Sequence, residues 1–441
     1  MKRSFGPGSA PLRGTVYVPG DKSLSHRAVL FSAVAQGTTR VVGVLDSADV
    51  RSTIEAVRTL GAHVDLAEQP DGSLGGEIRG WGSTCPAAWE PVVDCGNSGT
   101  TCRLLMGVLA GWPIKVTLVG DESLSKRPMR RITEPLTRMG ASFEAAEGGT
   151  LPLTMNGCAR LTGIEYESPV ASAQVKSAIL LAGLNANGTT RVTEPALSRD
   201  HTERLLPAYG VAVEVDPERC SAAVHGPSVA TSAGEIVVPR DPSSAAFLAV
   251  AGLLVPGSRL VLPGISLNET RTGFLRVLER MGADIEVVPW PETGTERVGE
   301  LIVRHTPALR ATTVFAAEIP ALVDEIPILA LAASLAEGDE TRFEDVGELR
   351  VKESDRLAAI INGLTAMGVQ ARADGDALVV CGARSLAGAE LDSLDDHRLA
   401  MTWAVAGLVA DAAVQVEGFD AVDVSYPRFA EDLAALVSSP Q

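Results

Sequence analysis

The sequence is poor in aromatic residues and in positive charge. Only 4% of its 441 residues are Phe, Trp or Tyr, and its formal net charge at pH 7 is −17. A chain whose main partner is nucleic acid or an anionic membrane needs a broad basic surface, and this composition excludes one. Any anion-binding site must therefore be a local pocket in which the few cations are concentrated.

Several other signals are absent. The six cysteines form no CxxC pair and no metal-ligand spacing, so we expect them to be reduced thiols of a cytoplasmic protein. No run of about 18 apolar residues predicts a membrane span, and the first residues lack the apolar segment of a signal peptide. There is no GxxxxGK[ST] motif and no strand-borne GxGxxG with an acidic partner. These absences predict a cytoplasmic protein that uses neither a metal nor another cofactor.

One pattern, in contrast, occurs six times. A small-residue apolar helix, a turn and a β-type run recur at intervals of 69 to 81 residues. The turns fall at Gly37, Gly111, Gly188, Gly257, Gly338 and Asp411. An amphipathic helix ending in glycine recurs with them, at Gly61, Gly140, Gly210, Gly282 and Gly368. Six copies of one supersecondary unit predict an α/β (α+β) fold, divided as three and three. The repeat alone is also compatible with a non-catalytic scaffold.

Polar and charged residues stand just before each apolar helix, in DKSLSHR, GNSGTTCR, SPVASAQVK, RDPSSAAF, DEIP and DDHR. Free N–H groups and the helix dipole make such positions anion sites. Ser, Asp and Asn there are usually caps, but a cation in the first turn opposes the dipole and needs another reason. The cations at these positions are Lys22, Arg27, Arg103, Lys176 and Arg398. The pattern predicts a pocket for a multiply charged anion.

Two further segments are rich in charge. In GELRVKESDRL, the i,i+4 spacing of Lys352 and Arg356 predicts one helical face, with Glu353 beside them. The cations of DESLSKRPMRR lie on a loop predicted to enter a helix. Each segment taken alone is compatible with a solvated ion-pair network. In a site that binds an anion, Glu353 could instead be a general acid or base.

These motifs resemble the 5-enolpyruvylshikimate-3-phosphate synthase family. PGDKSLSHR, GNSGTTCRLL, GDESLSKRPM, SAQVKSAILLAGL, SRDHTERLL, DEIPILALAA, LRVKESDRL, DDHRLAM and SYPRF follow in family order over essentially the whole chain. SAQVK and RPMRR are more similar to the class II branch. The resemblance implies two domains, 21–239 and 1–20 with 240–441, each of three βαβαββ-type units with the active site in the cleft between them. It also implies a monomer with small-molecule substrates.

The reaction that the resemblance implies transfers the enolpyruvyl group of phosphoenolpyruvate to the 5-hydroxyl of shikimate 3-phosphate and releases phosphate. Lys22, Asp324 and Glu353 are the implied catalytic residues: Asp324 accepts the 5-hydroxyl proton, and Glu353 protonates the methylene carbon and later removes a proton. The implied shikimate 3-phosphate residues are Lys22, Ser23, Arg27, Ser172, Ala173, Gln174, Arg199, Asp324 and Lys352. The implied phosphoenolpyruvate residues are Lys22, Asn97, Gly99, Arg127, Gln174, Arg356 and Arg398. The herbicide glyphosate is expected to occupy the phosphoenolpyruvate site, against Gly99.

One departure and one alternative accompany this resemblance. Some family members carry a lysine just before the SYP-like motif, whereas this sequence has Val424 there and Arg428 four residues on. The alternative is a UDP-N-acetylglucosamine enolpyruvyl transferase, which typically carries a cysteine five residues before the Arg-Pro arginine. Glu122 stands at that position here, which disfavours the alternative.

Overall fold

The computed structural model describes residues 1–8, 10–86, 90–292 and 294–438, which divide into two compact units. The terminal unit contains Met1–Pro19, Pro239–Glu292 and Glu296–Gln441. The central unit contains Gly20–Val238 and Thr293–Thr295. The terminal unit is thus assembled from both ends of the chain and the central unit from its middle.

Twelve α-helices lie in the described residues. The central unit contains α1 (Lys22–Val34), α2 (Ala48–Thr59), α3 (Gly99–Leu109), α4 (Arg130–Met139), α5 (Ala173–Gly183) and α6 (His201–Leu205). The terminal unit contains α7 (Pro242–Leu254), α8 (Gly273–Arg280), α9 (Ile326–Ala333), α10 (Arg356–Ala366), α11 (His397–Val409) and α12 (Phe429–Ser438). Short 3-10 helices occupy Leu124–Lys126, Leu206–Tyr209, Ala316–Ala321, Gly347–Val351 and Phe419–Val424.

The strands of the described residues are short. The terminal unit contains β1 (Arg3–Phe5), β2 (Arg13–Thr15), β15 (Arg259–Ser266), β16 (Asp284–Pro289), β17 (Val298–Arg304), β18 (Thr313–Val314), β19 (Thr341–Phe343), β20 (Ala371–Asp374), β21 (Ala377–Val380), β22 (Glu390–Asp392) and β23 (Val414–Glu417). The central unit contains β3 (Thr38–Val44), β4 (His63–Glu68), β5 (Leu74–Arg79), β6 (Val92–Asp94), β7 (Lys115–Val119), β8 (Ser142–Ala146), β9 (Thr150–Asn156), β10 (Glu165–Glu167), β11 (Gly188–Thr193), β12 (Val213–Asp216), β13 (Ser221–Gly226) and β14 (Glu235–Val237).

Each unit has three small sheets with one shared pairing pattern. The central sheets have the orders β14-β3-β5-β4, β6-β7-β9-β8 and β10-β11-β13-β12. The terminal sheets have the orders β2-β15-β17-β16, β18-β19-β21-β20 and β22-β23-β1. In every sheet the first pair is parallel and the remaining pairs are antiparallel. The predicted mixed α/β fold with a repeated strand–helix unit is confirmed.

The chain closes each set of three with strands from distant positions. β14, at the end of the central unit, pairs in parallel with β3 near its start. In the terminal unit, β2 from the N-terminal segment pairs with β15, and β1 completes the sheet of β22 and β23. Three of the six sheets therefore include a strand from a distant part of the chain, and the sheet of β22, β23 and β1 has three strands where the other five have four.

The six predicted apolar helices are α1, α3, α5, α7, α9 and α11. They are largely buried, and every residue from Pro242 to Leu253 of α7 is buried. A helix that is apolar on all faces must be surrounded by protein, which is why these helices form the centre of each unit's separate core. Gly107 shows how closely they pack, since a Cβ there would lie 2.2 Å from the Ala178 carbonyl oxygen of α5. The five glycines predicted to cap the amphipathic helices all have positive φ.

Candidate active site

The predicted site residues cluster at helix starts that are closed by side-chain caps. The caps accept hydrogen bonds from backbone N–H groups one turn into α1, α3, α5, α7 and α11. They are Asp21, Ser98, Ser172, Asp241 and Asp396. Since each cap carries an oxygen acceptor, these polar residues have the structural role that their type predicts. The functional side chains are the neighbours of the caps.

In the central unit, two predicted cations lie on α1. Lys22, the first residue of the helix, contacts Asp49 of α2 with 2.5 Å between Nζ and Oδ2. Arg27 is buried and donates to the Ser23 carbonyl oxygen, and to Ser177 Oγ and Thr202 Oγ1 at 2.8 Å each. These two hydroxyls and the carbonyl help to fix the position of the Arg27 guanidinium. Nothing in the sequence indicated the Asp49 contact.

The turn before α3 holds Asn97 between two side chains. Asn97 Nδ2 donates to Asp121 Oδ2 at 2.7 Å, and Arg127 Nη2 donates to Asn97 Oδ1 at 3.0 Å. Arg127 also donates to Ser123 Oγ. Gly99 begins α3, and a Cβ there would lie 2.8 Å from Nη1 of Arg103. Asn97, Gly99 and Arg127, which the family resemblance assigns to one substrate, thus lie close together in the structure.

The start of α5 is joined to α3. Arg103 Nη1 donates to Gln174 Oε1 at 2.6 Å, and Gln174 Nε2 donates to Thr100 Oγ1 at 3.0 Å. Ser172 caps the helix, Ala173 is its first residue, and the Ser172 N–H donates to Glu194 Oε1. The link from Arg27 to Ser177 joins α5 to α1 as well. The predicted residues at the starts of α1, α3 and α5 therefore belong to one hydrogen-bonded group.

Lys176 is explained by a buried ion group rather than by a substrate. Its ammonium lies 2.8 Å from both Glu194 and Glu203, and all three side chains are almost completely buried. Burial alone lowers the pKa of Lys176, but the two carboxylates outweigh it and the pKa is raised. The pKa of Glu203 is raised because its own burial outweighs the attraction of Lys176. Sequence reasoning missed both glutamates.

In the terminal unit, Arg356 contacts both of the predicted acid–base residues, Asp324 and Glu353. Its Nη1 lies 3.1 Å from Asp324 Oδ1 and its Nη2 lies 2.7 Å from Glu353 Oε2. Its Nε donates to Asp396 Oδ2 at 2.7 Å, and Asp396 is fully buried. Burial alone lowers the pKa of Arg356, but Asp396, Glu353 and Asp324 outweigh it, so the pKa is raised. Asp396 therefore holds a guanidinium that touches both predicted acid–base carboxylates.

Arg398 meets the same group from α11. Its Nη2 lies 3.4 Å from Asp324 Oδ2 and its Nη1 lies 3.7 Å from Glu325 Oε1. Glu325, which is buried, also accepts a short hydrogen bond from Ser243. The contacts of Arg398 with carboxylates are longer than those of Arg356. The guanidinium of Arg398 is thus held less closely by carboxylates than that of Arg356.

The structure corrects one local prediction. Lys352 and Arg356 do not share a helical face, because Asp355 caps α10 with a hydrogen bond from Ala358 N and the helix begins only at Arg356. Lys352 follows a 3-10 helix and lies 2.7 Å from Glu348. The ion pair between Lys352 and Glu348 therefore includes neither Arg356 nor the carboxylates that contact Arg356.

Two other cations lie at the edge of these groups. Arg199 is partly exposed in the segment between β11 and α6, next to Ser198, whose hydroxyl donates to Glu194. Arg428 is exposed and lies 3.6 Å from Asp432 of α12. Asp432 also accepts from the buried Tyr426 hydroxyl.

The fold with this arrangement of sheets is that of enolpyruvyl transferases. The enolpyruvyl transferase NikO from Streptomyces tendae has the same fold, with a TM-score of 0.77 over 99% of this chain and 97% of that chain, at 19% identity. The EPSP synthase of Acinetobacter baumannii has a TM-score of 0.86 at 38% identity, over 99% of this chain and 98% of that one.

The sequence comparison is more specific than the fold. The family described as EPSP synthase (3-phosphoshikimate 1-carboxyvinyltransferase) matches residues 7–433. The 3-phosphoshikimate 1-carboxyvinyltransferase of Bacillus subtilis strain 168 is 46% identical over 427 residues, 96% of this chain and 97% of the relative. The chain belongs to the EPSP synthase family.

Proposed function

We propose that this chain is a 3-phosphoshikimate 1-carboxyvinyltransferase, which transfers the enolpyruvyl group of phosphoenolpyruvate to the 5-hydroxyl of shikimate 3-phosphate and releases phosphate. The observation that carries this proposal is the guanidinium of Arg356, which contacts both Asp324 and Glu353. Transfer of an enolpyruvyl group requires proton removal from a hydroxyl and proton addition to carbon, and two carboxylates held beside one cation supply groups for both steps.

The central unit supplies the groups that bind phosphate and hydroxyls. Lys22 contacts both substrates, and Arg27 with Ser23 and the Ser172–Gln174 helix start binds shikimate 3-phosphate, with Arg199 as a further cation. Arg127 with the turn Asn97–Gly99 binds the phosphate of phosphoenolpyruvate, which the free N–H groups of a helix start favour. The hydrogen bonds of Arg27, Arg103 and Arg127 support the assignment, because they hold the guanidinium groups near the helix starts where an anion would bind.

The terminal unit supplies the carboxylate clamp and the acid–base groups. Arg356 and Arg398 bind the carboxylate of phosphoenolpyruvate, for which the planar guanidinium is suited. Because Arg356 is held by Asp324, Glu353 and Asp396, an arriving carboxylate competes with Asp324 and Glu353 for the guanidinium. Lys352 is a further contact for shikimate 3-phosphate. To bind this substrate, Lys352 has to give up its ion pair with Glu348.

The chemical step follows from these positions. Asp324 accepts the proton of the 5-hydroxyl as the hydroxyl oxygen bonds to C2 of phosphoenolpyruvate, while Glu353, which enters this step as the protonated acid, gives its proton to C3. Loss of phosphate from C2 and return of a C3 proton to Glu353 then restores the double bond. Each such acid–base group contributes about 10²- to 10⁴-fold in rate.

In this assignment, residues 21–239 mainly bind shikimate 3-phosphate. Residues 1–20 and 240–441 mainly supply the catalytic carboxylates and the arginines that bind the carboxylate of phosphoenolpyruvate. The protein works in the cytoplasm as a monomer, without a nucleic-acid or membrane partner and without a metal or other cofactor. The net charge of −17 supports the lack of a polyanionic partner. None of the helices in 1–8, 10–86, 90–292 and 294–438 is long and apolar enough to cross a membrane.

The test is phosphate release from phosphoenolpyruvate with each of two acceptors. We expect turnover with shikimate 3-phosphate, none with UDP-N-acetylglucosamine, and no loss of rate after chelator treatment and desalting. Turnover with UDP-N-acetylglucosamine alone overturns the proposal, and dependence on an added divalent ion overturns its cofactor-free part. Asp324→Asn should abolish most of the turnover. Asp374→Asn, which alters an exposed aspartate paired with Arg342, is the matched control.

A further inference from the structure

A line of buried side chains crosses the central unit beneath the predicted substrate residues. His26 Nδ1 lies 2.7 Å from Thr53 Oγ1, and Thr53 Oγ1 lies 2.6 Å from Thr101 Oγ1. Thr101 Oγ1 in turn donates to Ser98 Oγ at 2.7 Å. All four side chains are buried. This His26 line joins α1, α2 and α3 and ends at the cap of α3, between Asn97 and Gly99.

The direction of the hydrogen bonds fixes the protonation of the histidine. A hydroxyl has one hydrogen to donate. Because Thr101 gives its hydrogen to Ser98, it must accept from Thr53. Thr53 has then used its own hydrogen and must accept from His26. The line is consistent only if Nδ1 of His26 carries a proton.

The other ring nitrogen of His26 supports the same tautomer. Nε2 is buried and has no hydrogen-bond partner among the described residues. A proton on Nε2 would be a buried donor without an acceptor, which is costly. Burial also lowers the pKa of His26 to about 3, with Lys22 and Arg27 acting in the same direction and Asp49 opposing them. The ring is therefore neutral.

We propose that His26 is a positioning residue, which as the neutral Nδ1–H tautomer holds the start of α3 in place through Thr53 and Thr101. The same hydrogen bonds connect α1, the helix that carries Lys22 and Arg27, to the Asn97–Gly99 turn. The inference rests on the proposed function, because it assigns the phosphate of phosphoenolpyruvate to that turn. It adds His26, Thr53 and Thr101 to the residues that set the geometry for this substrate.

Kinetics of threonine variants test the positioning role. Thr53→Val keeps the shape but removes the hydroxyl, and should raise the KM for phosphoenolpyruvate roughly 5- to 30-fold with kcat changed less than threefold. Thr53→Ser restores the hydroxyl and should restore most of the affinity. Thr154→Val is the matched control, because Thr154 pairs with Thr117 Oγ1 at 3.0 Å between β7 and β9. An unchanged KM in Thr53→Val, or an equal rise in Thr154→Val, overturns the proposal.

The tautomer is measured on the unmodified protein by NMR of ¹⁵N-histidine-labelled chain, and a variant is needed only to assign the His26 signals. The chain has six histidines, and the His26 signals are those lost in His26→Asn. A proton on Nδ1 and a bare Nε2 support the proposal. A proton on Nε2, or an imidazolium at pH 7, overturns it. If the unmodified protein releases no phosphate from phosphoenolpyruvate, the proposed function fails, while the NMR result still decides the tautomer.

Discussion

The helix starts of the two units share a backbone design but carry different chemistry. In the central unit, Arg27 contacts hydroxyls and a carbonyl, Arg103 contacts the Gln174 amide, and Arg127 contacts Asn97 and Ser123. In the terminal unit, the arginines contact carboxylates: Arg356 meets Asp324, Glu353 and Asp396, and Arg271 meets Asp241. The same repeated scaffold thus carries arginines that donate to hydroxyls and amides in one unit and an arginine–carboxylate group in the other.

This difference shows how one fold can separate binding from proton transfer. Cations near the start of a helix attract substrate phosphate. Carboxylates that contact a buried guanidinium are held in a fixed position, from which they can reach a bound substrate. We therefore expect changes to the cations of the central unit to alter mainly KM, and changes to Asp324 and Glu353 in the terminal unit to alter mainly kcat.

The largest effect is expected from Lys176 of the central unit, whose ammonium is paired with two buried glutamates. Lys176→Met leaves Glu194 and Glu203 buried without their cation, which should lower the free energy of unfolding by about 3–5 kcal/mol. Urea unfolding, with hydrogen exchange of α5, measures the loss. Lys115→Met, which removes an exposed partner of Glu90, is the control and should change stability by less than about 1 kcal/mol. Equal losses in the two variants would show that the buried ion group contributes no more to the free energy of unfolding than the exposed ion pair does.

Glu353→Gln tests the terminal unit directly. Removal of the carboxylate should lower kcat about 100-fold or more, while both KM values change little, because an acid–base group acts mainly in the transition state. Steady-state kinetics with both substrates measures the split. Glu340→Gln, which alters an exposed glutamate paired with Arg372, is the matched control. A kcat within threefold of that of the unmodified enzyme would remove Glu353 from the acid–base assignment.

Lys22→Ala tests the central unit by the opposite criterion. The loss of a charge that contacts two anionic substrates should raise both KM values by about 10- to 150-fold, the range for a charge-assisted hydrogen bond. The kcat should fall by a smaller factor than the factor by which either KM rises. Lys115→Met again serves as the control. If only kcat falls, the division between a binding unit and a proton-transfer unit is wrong.

Gly99→Ala should give the smallest effect on the natural reaction. The added methyl group meets the flexible end of Arg103, 2.8 Å away, so the chain should fold normally while Arg103 shifts against Gln174. We expect glyphosate to compete with phosphoenolpyruvate, and the variant to weaken inhibition by about 5- to 150-fold, or about 1–3 kcal/mol, with a smaller rise in KM.

Inhibition curves at several phosphoenolpyruvate concentrations give the inhibition constants of both forms. Gly6→Ala, where a Cβ would meet nothing within 4 Å, is the control. Identical constants for the unmodified enzyme and Gly99→Ala would show that Gly99 does not border the inhibitor.

Much of the fold could be predicted because its signals are local. The six apolar helices and the glycines that end the amphipathic helices repeat within short windows, and caps such as Asp21 and Ser98 directly precede their helices. The error at Lys352 was local as well. Two i,i+4 cations suggested one helix, but the Asp355 cap between them starts the helix at Arg356.

The sequence by itself determined the repeated unit, the buried helices and the motifs that identify the family, because periodicity and capping depend on neighbours a few residues apart. Only the tertiary structure decided which partners the charges have. Asp396 meets Arg356 from 40 residues away, and Thr53 lies between His26 and Thr101. It also decided that β14 and β2 complete distant sheets. Such contacts depend on the packing of whole helices and sheets, which no local pattern of residues specifies.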